Sequence, residues 1–378
     1  MTQQKSKPDD RNVSKKYLEN PASFEATTKS PNLNYNPKDY KPYTPTDEDY
    51  IDYGKNQYKK KNKKSIIKSI IIITAIIGIG LILYNTNFQL PNLDSTQLPE
   101  LPSIPQIIPS STSPTISQLR EYALQEINRE RTKHGLTNVT LSPIECAQNH
   151  ADNLLKGGYL SHWDTEGWKP YMRYTRDGGK GMMGENCAWM HSTGEIDPYK
   201  TIKELNWNMI YDDANSNWGH RDNLLDPKHN RVSLGIAYDD SNLYLVQDFE
   251  DYYFTSTEIQ RSGSIINIMY TSIKTTWKPE QIAIFYDPIP QPLTESQLRS
   301  SPYNHGYDQG TYVAGVVTEG WYMQQGITIN ANIWRVSGNT FQTKFDLSKV
   351  FNAKGKGVYT LCIADSEGYW TNISIWNK

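Results

Sequence analysis

A run of apolar residues at positions 65–84, SIIKSIIIITAIIGIGLILY, constrains this chain of 378 residues more than any other feature. Lys68 is the only charged residue in the run. Twenty helical residues rise about 30 Å, which is the thickness of the hydrocarbon core of a bilayer. A secretory signal peptide would lie within roughly the first 30 residues and end at small residues. We therefore expect residues 65–84 to form one transmembrane helix.

The charges on either side of this helix predict its orientation. Arg120 is the first basic residue after it. Cytoplasmic flanks carry an excess of Lys and Arg, so the N-terminal side is expected in the cytoplasm and the folded part outside. The predicted location is the cell membrane, with a single pass and extracellular C-terminal domains. The basic flank before the helix consists of Lys59, Lys60, Lys61, Lys63 and Lys64.

Two further segments lack the apolar periodicity of folded elements. Residues 1–64 are rich in Lys, Asp, Asn, Pro and Tyr, a composition that buries little apolar surface and predicts a disordered cytoplasmic tail. Residues 85–115 contain six prolines, which favour an extended, semi-stiff stalk. The net charge of -2 gives no reason to expect nucleic acid as a partner, whereas the apolar helix makes the membrane one.

Residues 116–254 show helical periodicity followed by two strands. Apolar residues at three- and four-residue steps predict a helix from residue 117 to Gly135. Ser142, as an N-cap before Pro143, predicts the start of a second helix that ends at residues 157–158. A third helix is predicted over residues 198–211, and strands over 232–238 and 243–249. Helices followed by paired strands indicate a mixed α/β layer fold.

Beyond residue 255 the apolar residues alternate with a period of two. Short alternating runs lie between clusters of Gly, Pro and Asn, which is typical of a small β-sandwich. We therefore divide the folded part into domains 116–254 and 255–378. The runs are residues 281–286, 311–317, 327–334, 357–364 and 371–376.

The chain has three cysteines, Cys146, Cys187 and Cys362. They show neither a C-x-x-C pair nor a metal-ligand spacing with histidine, which excludes zinc-finger and redox-motif interpretations. Free cysteines are usually buried as small apolar side chains, and we expect this here. A bridge between Cys146 and Cys187 is an open alternative.

Several polar motifs follow one another in a fixed order within residues 117–251. Asn128 and Arg131 lie on the first predicted helix, His162 lies in YLSHWD, Glu185 in GENCA, and His220 in GHR. This order resembles the CAP superfamily, which comprises the cysteine-rich secretory proteins, antigen 5 and the plant pathogenesis-related class 1 proteins. The resemblance implies an α-β-α sandwich with a solvent-open cleft. The disulfides of the eukaryotic members have no counterpart in this sequence.

The resemblance also implies a site. In the family two histidines and two acidic residues line the cleft and hold a divalent cation in some members. Mixed nitrogen and oxygen donors suit zinc or a similar cation. The alternative is a purely structural network, in which His220 caps a helix and Glu185 bonds backbone N–H groups. The matching positions here are His162, Glu185, His220 and, where many relatives have Glu, Asp212 or Asp213.

The resulting interpretation is a membrane-anchored extracellular binding module. Its ligand would be a lipid, a glycan or another component of the cell envelope. The alternatives are a metal-dependent extracellular hydrolase that uses the same cleft, and an adhesive or scaffolding protein. No catalytic residue is assigned, because Ser161 and His162 are sequence neighbours whose side chains usually point apart.

Overall fold

The computed structural model describes residues 113–378. The predicted tail and transmembrane helix, and residues 85–112 of the predicted stalk, lie outside the described residues. Within 113–378 no helix is long and apolar enough to cross a membrane. Residues Pro114–Lys378 belong to one compact unit.

Seven α-helices lie in this part of the chain, and the two longest each begin after a residue whose side chain caps the helix. Thr115 and Gln118 form a reciprocal capping box before α1, and the side chain of Asp197 accepts two backbone N–H groups at the start of α4. The helices are α1 (Ile116–Lys133), α2 (Cys146–Gly157), α3 (Pro170–Arg176), α4 (Pro198–Tyr211), α5 (Gly219–Leu224), α6 (Glu295–Leu298) and α7 (Ser348–Lys354).

The strands of residues 113–378 form three sheets. The first has the order β1-β3-β4-β2, the second β10-β11-β6-β5, and the third β13-β12-β7-β8-β9 with β14 beside β12. The strands are β1 (Thr140–Leu141), β2 (Met182–His191), β3 (Arg231–Tyr238), β4 (Asn242–Asp251), β5 (Phe254–Ser262), β6 (Ile265–Ser272), β7 (Gln281–Asp287), β8 (Thr311–Val317), β9 (Ile327–Asn330), β10 (Ile333–Ser337), β11 (Thr340–Asp346), β12 (Gly357–Asp365), β13 (Gly368–Tyr369) and β14 (Ile373–Asn377).

Helices cover both faces of the first sheet. Side chains alternate between the faces of a strand. Val232, Leu234 and Ile236 of β3 therefore share a core with α1 and α4. Ala237 of β3 and Val246 of β4 share the opposite core with α2. This arrangement confirms the predicted mixed α/β fold, with β2 at one edge of its sheet.

Gly235 allows α2 to approach β3 very closely. A Cβ atom at this position would lie 2.0 Å from the carbonyl oxygen of Ala147. Any side chain here would push the helix off the sheet. The backbone of α2 is thus held close above the strands that carry the polar motifs.

The C-terminal part is rich in β-sheet, as predicted. Apolar side chains of the second and third sheets meet in one shared core, which includes Ile268 of β6, Phe341 of β11 and Leu361 of β12. Further side chains link this part to α3: Val358 and Trp376 pack in a cluster with Tyr171 and Met172. The domain boundary near residue 255 stays a prediction.

Three local expectations were altered or decided by the structure. Helix α2 begins at Cys146 rather than after Ser142, because the Ser142 hydroxyl accepts the N–H of Ile144 in a local turn. Residues 327–334 form two strands in different sheets instead of one. All three cysteines are free and buried, so the alternative of a Cys146–Cys187 bridge is wrong.

Candidate functional site

Strand β2 carries the GEN motif along the free edge of the first sheet. Glu185 pairs with Asp248 and Asn186 pairs with Gln247 across β2 and β4. Consecutive side chains of a strand point to opposite faces. Glu185 therefore lies on the side of α2 and α3, and Asn186 on the side of α4 and α5.

A buried ion pair holds Glu185. The Arg173 guanidinium on α3 donates to its Oε2 atom at 2.7 Å, and the two side chains are 2% and 0% exposed. Burial alone would raise the pKa of Glu185, but Arg173, with His150 and His162, outweighs burial and holds that pKa well below its usual range. The carboxyl group is therefore ionised. Sequence reasoning missed Arg173, because no spacing links it to Glu185.

His162 contacts the other oxygen of the same carboxylate. Its Nδ1 atom lies 2.9 Å from Oε1 of Glu185, and its side chain is 14% exposed. An ionised carboxylate only accepts hydrogen bonds, so Nδ1 carries the proton. The Nε2 atom of His162 takes no part in this bond.

His220 has the same relationship with Asp213. Its Nδ1 atom lies 2.7 Å from Oδ1 of Asp213, whose side chain is 3% exposed while the imidazole is 24% exposed. Oδ2 of Asp213 accepts the backbone N–H groups of His220 and Arg221 at the start of α5. Asp213 thus fixes both the helix start and the imidazole, and it is the acid that accompanies His220. Asp212 ends α4 as its C-cap residue.

The turn before His220 has an unusual backbone. Asn217 and Trp218 both adopt positive φ, at 51° and 65°. Asparagine tolerates this left-handed region, whereas for a bulky tryptophan it is an outlier that surrounding structure must enforce. The strained turn brings His220 back beside Asp213, which lies seven residues earlier in the chain.

A chain of amides ties the two histidine–carboxylate pairs together. Asn186 donates to the carbonyl oxygen of His220 at 3.0 Å and accepts from Asn223 at 2.9 Å. Asn223 in turn contacts His229, which is bonded to Asp251. The GEN and GHR motifs are therefore joined by hydrogen bonds, as the structural interpretation predicts. The carboxylate of Glu185, however, bonds the side chains of His162 and Arg173 and not the predicted backbone N–H groups.

Asp248 is a second buried carboxyl group, directly opposite Glu185. Burial, and then the charge of Glu185, raise the pKa of Asp248 well above its usual value, so this carboxyl group is neutral. The thiol of Cys146 donates to Oδ2 of Asp248 at 2.9 Å. Burial and the Asp248 carboxyl likewise raise the pKa of the Cys146 thiol, which remains protonated.

A second histidine, to which the sequence analysis gave no role, belongs to this cluster. The ligand atoms of His150, Glu185 and Cys187 lie within 4.8 Å of one another, close enough to hold a metal ion. Their donors are committed, however: His150 Nε2 contacts the carbonyl oxygen of Ser161, and Glu185 is bound by Arg173. Burial also keeps the Cys187 thiol protonated by raising its pKa. A cation here would have to displace these partners.

The cleft is closed at Glu185, so the expectation of a solvent-open cleft is wrong at this point. The hydroxyl of Tyr307 accepts the backbone N–H of Glu185 at 3.1 Å. The Tyr307 ring packs against the imidazole of His162, with centroids 5.0 Å apart. Tyr307 comes from the segment between β7 and β8, and its distance in sequence left no local signal that could have identified it.

The five residues proposed from sequence thus separate into two pairs and one remaining residue. The pairs are His162 with Glu185, and His220 with Asp213, one from each helical layer beside the edge strand β2. The metal site predicted from them stays a prediction.

The architecture and the ordered polar motifs define an α-β-α domain with paired histidines, attached to a β-rich C-terminal part. Residues 124–254, which are 131 of the 378 residues, match the model of the cysteine-rich secretory protein family, CAP. Residues 124–254 therefore form a region that matches the CAP family, and the rest of the chain lies outside that match. The recognition drawn from the GEN and GHR motifs is confirmed.

Similarity to individual proteins is low. The solved CAP domain of Enterococcal PrgA is 16% identical, with a TM-score of 0.27, and the match covers 36% of this chain and 63% of that one. Less than two thirds of that structure is spanned, and the likeness carries no argument about function. No curated protein shows a significant match.

The first prediction concerns the buried ion pair. Replacing Glu185 by Gln leaves the Arg173 guanidinium buried without its anion, so we expect the free energy of unfolding to fall by roughly 3 kcal/mol. Glu145→Gln is the control, because it removes the partner of Arg120 with a carboxylate that is 59% exposed. That change should cost less than about 1 kcal/mol in urea denaturation. Equal losses in the two variants would contradict the assigned role of Arg173.

The second prediction concerns His150, which is completely buried. Burial, followed by the charge of Arg173, lowers the pKa of His150 to about 3. In the unfolded chain its pKa returns to about 6.5, so the unfolded state takes up a proton first and stability is lost as the pH falls between those values. Between pH 7 and pH 5, His150→Asn should lose about 2 kcal/mol less stability than the wild type.

The measurement is urea denaturation at each pH. His134→Asn is the control, because His134 is exposed on the surface. That variant should keep the pH dependence of the wild type. An identical pH dependence in His150→Asn and the wild type would show that His150 is protonated in the folded protein.

Proposed function

We propose that this protein is a membrane-anchored, extracellular binding module whose CAP domain holds a divalent cation through His162 and His220. One observation supports this most directly. Each imidazole is bonded through Nδ1 to a buried carboxylate, which leaves its Nε2 atom free. Both side chains are also partly exposed.

This arrangement matches the way that proteins prepare histidine ligands. A histidine that binds a metal through one ring nitrogen usually donates the other N–H to a carboxylate, which fixes the tautomer and the ring orientation. Glu185 and Asp213 would then orient the ligands instead of binding the cation themselves. Imidazole nitrogens favour zinc or a similar borderline cation.

The position of the two pairs supports a shared site. His162 lies in the layer of α2 and α3, while His220 begins α5 in the opposite layer. The strand between them, β2, is the edge of its sheet, so side chains from both layers can reach around it. A bound cation would supply an attachment point for an oxygen or nitrogen atom of a lipid, glycan or other envelope ligand.

Hydrolysis with a serine nucleophile is disfavoured by the state of Ser161, the hydroxyl beside His162. Its Oγ atom donates to the carbonyl oxygen of Tyr303 at 2.6 Å and accepts the N–H of Trp163 at 2.9 Å. Ser161 is 3% exposed. A hydroxyl that is buried and bonded on both sides is not presented to a substrate as a nucleophile.

The proposed location relies on the sequence before the described residues. The apolar run at 65–84 has the length of a membrane span, and lysines precede it while the following flank has none. The absence of disulfides makes the CAP domain independent of an oxidising environment, so it tolerates either side of a membrane. The proposed orientation in the membrane therefore rests on the difference in charge between the two flanks of residues 65–84.

The metal prediction is tested by calorimetric titration of the full chain with zinc after treatment with a chelator. We expect one equivalent to bind, and His162→Ala or His220→Ala to weaken binding by at least about tenfold. Binding should also weaken on acidification, because imidazole must be neutral to coordinate. His134→Ala, at an exposed histidine, is the control. Absence of zinc binding, or equal affinity in all four proteins, would refute the site.

The topology prediction is tested on intact cells that carry epitope tags before Met1 and after Lys378. External protease should remove the C-terminal tag and leave the N-terminal tag, because only the C-terminal side is proposed to lie outside. Permeabilised cells are the control, in which both tags should be lost. Protection of the C-terminal tag in intact cells would overturn the proposed orientation.

A further inference from the structure

The segment between β7 and β8, residues 288–310, crosses from the β-rich part onto the CAP domain; we name it the strap. It contacts the layer formed by α2 and α3 at several points. The N–H of Leu293 bonds the carbonyl oxygen of Thr165, and Leu298 is fully buried in a core with Ala151 and Leu154. These contacts fix the first half of the strap firmly to the domain.

The middle of the strap is also anchored. Arg299 donates to the carbonyl oxygens of Gly157 and Gly158 at the end of α2, at 2.7 and 3.0 Å. The Tyr303 ring meets Trp163 edge to face, with centroids 5.5 Å apart. The last carbonyl groups of a helix have no hydrogen-bond donor within the helix, and Arg299 provides the donors for these groups at the end of α2. The strap up to residue 303 is therefore part of the folded body.

Residues 304–310 differ, and we name them the plug. Asn304, His305, Gly306 and Asp308 are exposed. Gly306 has open space around its Cα atom, and Gly310 has a φ of +86°, so glycine lies on both sides of Tyr307. Glycine backbones rotate with little steric restriction. The plug thus has room to turn at Gly306, whereas Gly310, where it joins β8, is packed against Asp287 and Tyr286.

Gln309 of the plug contacts two sulfur atoms, at 3.7 Å from Met182 and 3.4 Å from Cys362, and the residue that reaches the histidine site is Tyr307. The Tyr307 hydroxyl accepts the backbone N–H of Glu185, which has no strand partner because β2 is an edge strand. The Tyr307 ring packs against His162. The outer end is held by Lys169, which bonds Asp308 at 2.6 Å while the Asp308 carboxylate is 75% exposed. When Asp308 leaves, Lys169 keeps its second partner, Asp287, at 2.8 Å, and the exposed Asp308 carboxylate gains water, so this end opens at low cost.

From this geometry we infer that the plug is an intramolecular lid, and that Tyr307 occupies the cleft in place of a ligand. Opening exposes His162 and the edge of β2, where water or a ligand oxygen replaces the Tyr307 hydroxyl as acceptor for the Glu185 N–H. The lid competes with ligand for the cleft, which lowers the apparent affinity by the fraction of closed molecules. This inference rests on the proposed binding function of the cleft.

The lid is tested by the rate at which diethyl pyrocarbonate modifies His162 in the full chain, measured by peptide mass spectrometry relative to exposed His134. Tyr307→Ala should raise this rate about tenfold, since it removes one hydrogen bond and the ring that covers the imidazole. Tyr322→Ala is the matched control, because Tyr322 is 71% exposed elsewhere in the same C-terminal part. It should leave the rate unchanged.

Asp308→Asn serves as a second variant that leaves the core untouched. It weakens the Lys169 contact, and the rate at His162 should rise about two- to threefold, the size expected for an exposed ion pair. If Tyr307→Ala fails to fold, as judged by thermal melting, Asp308→Asn decides alone. Unchanged rates at His162 in the folded variants would overturn the lid.

Zinc titration of Tyr307→Ala separates this inference from the proposed function. Faster modification with tighter zinc binding supports both. Faster modification without zinc binding keeps the lid and removes the cation site. Unchanged modification with zinc bound as in the wild type keeps the cation site and removes the lid.

Discussion

The buried ion pair between Arg173 and Glu185 fixes the relative positions of the other residues of the histidine site. Both side chains are almost fully buried, so neither charge could remain without the other. The guanidinium also donates to the carbonyl oxygens of His162 and Trp168. One side chain thereby fixes the acid on β2, the loop that carries the histidine, and the helix between them. Arg is suited to this because its planar fork offers several donors at once.

The same pair explains why two facing carboxyl groups coexist in the interior. Glu185 and Asp248 are neighbours across β2 and β4 and share one nearby guanidinium. A single positive charge stabilises a single anion in a buried site, so one carboxyl is ionised and the other keeps its proton. The neutral acid then accepts the thiol of Cys146. Only one of the two carboxyl groups is ionised because only one guanidinium lies beside them.

Features set by neighbouring residues could be predicted from the sequence, whereas features set by distant contacts could not. The bounds of α1 and α4 follow from their caps and apolar period, and β3 and β4 follow from their apolar runs. Strand β2 was missed because Glu185 and Asn186 are both buried, which removes the alternation of polar and apolar residues. The ordered histidines and acids revealed the resemblance to the family and the residues of the two pairs, but not how these residues pair. Arg173 and Tyr307 complete the site from other parts of the chain, and Tyr307 lies 122 residues from Glu185.

The position of Tyr307 late in the chain has a consequence for the order of events during synthesis. Domains form from the N-terminal end as a chain is made, at roughly 5–20 residues per second. The residues of both histidine–carboxylate pairs are polymerised before residues 304–310. At that rate, several seconds separate the synthesis of His220 from that of Tyr307. The contact between Tyr307 and His162 is therefore a late step, since it cannot form before the C-terminal part of the chain has been made.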